Sequence, residues 1–136
     1  MARIKARSLV PQKNLGYHGA INAIVDRDIS AGAIVVVNGD RGACFTVEPA
    51  SNSSRRRSSG LLYVLRNGGK SGDLLTGLSF LTVPIEDSKK KLGDPVWLGR
   101  EGVWTFTKPK TNPIQVGEVI DSPSGKRVLL APQARY

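Results

Sequence analysis

The sequence has one cysteine, Cys44, and one histidine, His18, among its 136 residues. A lone thiol cannot close a disulfide within the chain, and the two residues together cannot supply the four ligands of a structural zinc site. They leave almost no material for a Ser-His-Asp or Cys-His centre, and no Gly-x-Ser-x-Gly elbow is present. Both read as structural residues, and no cofactor is expected. Aromatic residues are scarce, at 6% of the chain, so a surface for stacking bases is thinly furnished. Long apolar runs are missing too. The longest, Ala33 to Val37, is far too short to cross a bilayer as a helix, and the basic start, Met1 to Arg7, is not followed by an apolar stretch. The chain therefore reads as soluble, unexported and without a membrane partner.

Acidic charge is the other shortage. Eleven Asp and Glu stand against 20 Lys and Arg, a net charge of +9 with a pI near 10.1, so an anionic partner is expected. A chain of this length makes one ordinary domain, which buries roughly 68–70% of its unfolded surface and folds without cross-links.

Residues 1–18 carry Arg3, Lys5, Arg7 and Lys13 with no acidic side chain, and Pro11 breaks any helix. This segment reads as an extended arm outside a single β-rich domain of residues 19–136. A terminus with solvated charges is one reading of it. The other is a segment whose Ile4, Leu9 and Val10 gain burial only against a partner.

Beyond Ala20 the glycines and prolines come too densely for a three-turn amphipathic helix. Short runs rich in β-branched and apolar residues lie between them, at Ile21–Val25, Ile34–Val37, Cys44–Val47, Leu61–Leu65 and Val128–Leu130. Many short strands at turn-to-turn spacing indicate an all-β fold, a small barrel or sandwich with little helix. A short helix near Asn112–Val116 is the one exception expected. Gly99-Arg100-Glu101-Gly102 reads as a hairpin loop setting Leu98 opposite Val103 and Trp97 opposite Trp104, so that the two indoles meet. Residues 51–60, Ser-Asn-Ser-Ser-Arg-Arg-Arg-Ser-Ser-Gly, lack apolar periodicity and read as an exposed, flexible loop.

Two catalytic motifs are weighed and set aside. Gly69-Lys70-Ser71 matches the end of a phosphate-binding P-loop, but Val64 stands where that motif needs its first glycine, and no helix pattern follows. Carboxylates such as Glu48, Asp73, Glu86, Asp94, Glu101 and Glu118 mostly sit beside turn residues, where they accept local backbone hydrogen bonds. The chain reads as no enzyme. Two partner classes remain. Cations gathered on an arm and loops suit the clamping of an acidic protein surface, through Arg3, Ile4, Lys5, Arg7, Leu9, Lys13, Arg55, Arg56 and Arg57. The same charge also fits a small β-barrel that binds nucleic acid.

The last third of the chain runs Leu92-Gly93-Asp94-Pro95-Val96-Trp97, then Trp104-Thr105-Phe106-Thr107, Val116-Gly117-Glu118-Val119-Ile120-Asp121 and Arg127-Val128-Leu129-Leu130. In order and motif it resembles the capsid decoration, or cement, proteins of tailed bacteriophages. Ile29 to Gly39, followed by Gly42-Ala43, looks like the first strand pair of that family, so the resemblance spans about residues 19–50 and 92–131. It implies a β-tulip-like, non-enzymatic module, made in the host cytoplasm, that binds the major capsid protein on the outer surface of the virion. It also implies a homotrimer.

Overall fold

The computed structural model describes residues 19–85 and 89–134. The candidate arm residues Arg3, Ile4, Lys5, Arg7, Leu9 and Lys13 lie outside them. Ten strands and no helix appear among the described residues: β1 (Ala20–Val25), β2 (Ile34–Asp40), β3 (Phe45–Pro49), β4 (Leu62–Leu65), β5 (Leu74–Leu78), β6 (Leu81–Pro84), β7 (Pro95–Leu98), β8 (Trp104–Thr105), β9 (Gln115–Ser122) and β10 (Gly125–Leu130). The first five close into a barrel in the order β1-β3-β2-β4-β5, and the second five form a sheet in the order β6-β10-β9-β7-β8. The all-β barrel expected from the spacing of turns is therefore present, with a second sheet laid against it.

Alternation along β1 gives the barrel its interior. Ile21, Ala23 and Val25 point inward and pack with Val35, Val47, Tyr63 and Leu65. Strands β2 and β4 are different, because they are buried on both faces. Val35 and Tyr63 fill the barrel, while their neighbours Ile34, Val36, Leu62 and Val64 turn outward onto Val96, Leu98, Val116, Val119, Val128 and Leu130 of the second sheet. A strand covered on both sides must be apolar at every position, which is why Ile34-Val35-Val36 and Leu62-Tyr63-Val64-Leu65 are unbroken runs.

Two expectations are corrected here. No helix forms near Asn112–Val116. Asn112 takes a left-handed φ of 52°, and Gln115 already opens β9, where a bulge between Gln115 and Gly117 fits the strand onto β7. The hairpin register is also shifted by one residue. Trp97 pairs with Thr105, and Leu98 with Trp104. Glu101 and Gly102 both take positive φ, 53° and 81°, and the Gly99 N–H bonds to the Val103 carbonyl at 2.7 Å. Val103 thereby joins the loop. A one-residue slip moves a side chain to the other face, so the indoles separate. Trp104 packs against the shared core with Phe106, edge to face at 5.3 Å.

Gly117 is required by close approach, since a Cβ there would overlap the Leu129 carbonyl on β10. Gly117→Ala should lower stability by roughly 1–3 kcal/mol, the usual range for overpacking a full core. Urea unfolding checks this, with an unchanged m-value if the fold is retained.

Candidate docking surface

Glu48 lies on β3 directly across from Val36, and the same alternation that sends Val47 into the barrel turns its carboxylate outward. There it is covered by the segment that the sequence marks as a flexible loop. Arg56 donates two hydrogen bonds to the carboxylate, at 2.8 and 3.0 Å, Asn38 Nδ2 donates a third at 2.7 Å, and Arg57 Nε lies 3.3 Å away. Only 7% of the Glu48 side chain is exposed. The Arg56 hydrogen bonds hold its carboxyl down at about 2 against the desolvation that burial imposes, and Asn38 adds to them.

Arg57 carries the network onward. With 17% of its side chain exposed, it donates to the Pro49 carbonyl at 2.9 and 3.1 Å and to Glu101 Oε2 at 2.7 Å. That bond holds the Glu101 carboxyl below its ordinary value. Arg27 lies 3.6 Å from the same oxygen and pairs with Asp26 at 2.9 Å. Three arginines and three carboxylates thus run in a chain across the junction of the barrel and the second sheet.

The expected exposure of residues 51–60 holds for Ser53, Arg55, Arg56, Ser59 and Gly60, while the others are partly or fully covered. Ser51 and Ser58 are buried. The Ser51 N–H bonds to the Arg57 carbonyl at 2.9 Å, and the Asn52 N–H to the Gly99 carbonyl at 2.9 Å. Asn112 Nδ2 reaches both the Asn52 carbonyl and Ser58 Oγ at 3.0 Å. The segment buries little apolar surface, yet its polar groups find partners on β3, on the 99–103 loop and before β9. Of the three candidate arginines, the structure brings Arg56 and Arg57 together on Glu48. Arg55 is exposed, and among the described residues it enters no ion pair. Asn38, Glu48, Glu101 and Arg27 were not among the candidate partner-binding residues. The available signal was Glu48, an acid inside an apolar strand with three arginines a few residues downstream.

Beside this network runs a groove of about 890 Å³ between the 27–33 loop, the Gly68–Lys70 turn and the 99–104 loop. Arg27 and Lys70 line it together with Asp28 and Glu101, so its charges balance. An anion finds no net attraction there. Val103, 62% exposed, stands at its lip. Elsewhere two aromatic rings are capped by cations: Lys108 Nζ lies 5.2 Å from the Trp97 ring centre and Lys90 Nζ 4.4 Å from that of Phe106. A nucleic-acid base stacking on either ring has to displace an ammonium group.

Removing the Glu48 charge tests the network. Glu48→Gln should lower stability at neutral pH by about 1–3 kcal/mol, the scale of hydrogen bonds to a charged group. The folded carboxyl titrates near 2 and an unfolded one near 4.5, so this contribution is complete above about pH 5 and is lost as pH falls toward 2. The stability gap between wild type and variant, measured by urea titration at a series of pH values, should narrow across that interval.

No protein-family model and no curated protein matches the sequence. Among solved structures, the crystal structure of the head fiber gp8.5 N base of bacteriophage phi29 is similar, with a TM-score of 0.52. The match covers 84% of this chain and 92% of that one at 18% identity, so what the two share is the fold.

Proposed function

We propose that this chain is a structural protein of a phage virion, and more specifically a decoration protein that sits on the outer surface of the capsid and stabilises contacts between major capsid protein subunits. The observation that carries the reading is the fold shared with the phi29 head fiber base over nearly all of that chain. The sequence motifs of residues 92–131, which resemble the cement proteins, support it independently.

The charge distribution supplies a mechanism. Four of the 20 cations and none of the 11 acids fall within residues 1–18. An arm of this kind adds a strand to an exposed sheet edge on the shell, its backbone giving affinity while Arg3, Lys5 and Arg7 meet acidic rim residues. On the folded body, Arg55 is the arginine of its loop with a guanidinium free to join them. Each bridge between capsid subunits adds contact free energy that must be lost before they part. As a homotrimer the protein presents three arms at once, which raises avidity without a new kind of contact.

Incubation with undecorated mature capsids tests the proposal. Co-sedimentation and a higher shell disruption temperature are expected, and deletion of residues 1–13 should weaken binding at least about ten-fold through the loss of linked contacts. Absence of both co-sedimentation and heat protection would sink the proposal. Binding that is indifferent to the deletion would remove the arm from it.

A further inference from the structure

Strands β1 and β5 are neighbours in the barrel wall, and their outward positions form one continuous patch. Ala20, Asn22 and Ile24 stand opposite Leu78, Thr76 and Leu74 in register. The intervening residues point the other way: Ile21, Ala23, Val25 and Leu75 pack in the barrel interior. None of the six outward side chains is charged, on a chain of net charge +9. Leu74 is 60% exposed, as is Phe80 just beyond the end of β5, while Ile24 and Leu78 are half-buried. Large apolar side chains exposed along an uncharged strand face suit an interaction surface.

Charges of both signs border the patch. Arg66 follows β4 directly, and its N–H bonds to the Thr76 carbonyl of β5 at 3.0 Å. Asp73 immediately precedes Leu74 at the start of β5, where its carboxylate caps the Lys70 N–H at 2.8 Å. Both side chains are exposed, and among the described residues neither enters an ion pair.

We infer that this face is where copies of the chain meet one another. The inference rests on the self-association proposed above and names its surface. Two molecules that each carry +9 repel wherever their basic regions approach, so close contact is least opposed on a face with no charge of its own. An acidic partner gains nothing from such a face and is better served by the arm and Arg55. The border supplies the complement that a second copy needs. In a three-fold ring the contact is heterologous, so Arg66 of one copy meets Asp73 of the next and the same pair recurs around the ring. Leu74 and Ile24 then leave water together.

Sedimentation equilibrium of the full chain over a range of concentrations and salt, with circular dichroism as the control for folding, tests this. Wild type should self-associate. Leu74→Asp, at an exposed position that the fold does not need, should weaken association by about ten-fold or more, as expected when an apolar contact is replaced by a charge. Arg66→Glu and Asp73→Arg should each weaken it, and the double charge swap should restore much of the loss. A wild-type chain that stays monomeric overturns the inference, as does association that is unchanged by Leu74→Asp or unrescued by the swap. Capsid co-sedimentation of the same variants separates the two readings. A Leu74→Asp monomer that still binds shells, with lower avidity, leaves capsid docking intact, whereas self-association without shell binding removes capsid docking alone.

Discussion

The double-sided burial of β2 and β4 is the constraint on which the rest of the structure depends. These strands are at once the wall of the barrel and the floor of the second sheet. Fully burying an apolar side chain of their size contributes about 1.5–3 kcal/mol, and seven such residues, Ile34, Val35, Val36, Leu62, Tyr63, Val64 and Leu65, lie almost wholly out of water. No ion pair at the surface approaches that sum. The apolar wall therefore decides where the sheet sits, and the charged network forms where the two layers happen to meet. Backbone bonds at the seam follow from the same packing: Gly102 donates to the Ala50 carbonyl at 2.6 Å and accepts from the Ile34 N–H at 3.0 Å. The 99–103 loop is thereby carried to the segment that holds Arg57.

Much of this was legible from sequence because strand formation here is local. Ile21–Val25, Ile34–Val37, Leu61–Leu65 and Val128–Leu130 announce themselves by composition and by flanking glycines, and the strands fall within a residue or so of those runs, β2 and β10 extending further. The register of the β7–β8 hairpin was not legible in the same way. It turns on Glu101 adopting a left-handed conformation that nothing in its side chain requires, and one residue of slip exchanges the faces of Trp104 and Val103. Asn112 misled for a related reason, since its positive φ serves a contact with Asn52 and Ser58, more than 50 positions away.

The arginine segment shows where a compositional argument stops. Low apolar content implies little order when the only gain from ordering is hydrophobic burial. Residues 51–60 gain instead from hydrogen bonds to groups that the barrel has already placed: Glu48 on β3, the Gly99 carbonyl and Asn112. Glu48 is the necessary element. A buried carboxylate without partners is strongly unfavourable, so a strand that carries one outward beneath a loop demands cations from that loop, and Arg56 and Arg57 supply them. Three consecutive arginines that look equivalent in sequence are thus divided by structure into two that pair with Glu48, Arg57 mostly covered and Arg56 largely exposed, and one, Arg55, that enters no ion pair among the described residues.

That division bears on how a basic protein of this size chooses partners. Exposed charges interact over a screening distance of about 8 Å at physiological ionic strength, so docking is governed by local charge and much less by the net +9. On the body, Arg27, Arg56 and Arg57 are each matched by a carboxylate, the 890 Å³ groove is balanced, and the outward face of β1 and β5 is neutral. In the first 18 residues, by contrast, every charged side chain is positive. The proposed division of labour follows that contrast: residues 1–18 carry charge of one sign only, and the outward positions of β1 and β5 carry none. Under the two proposals above, the contacts with a shell and with other copies draw on different residues: the charged side chains of residues 1–18 for the one, and the uncharged outward positions of β1 and β5 for the other.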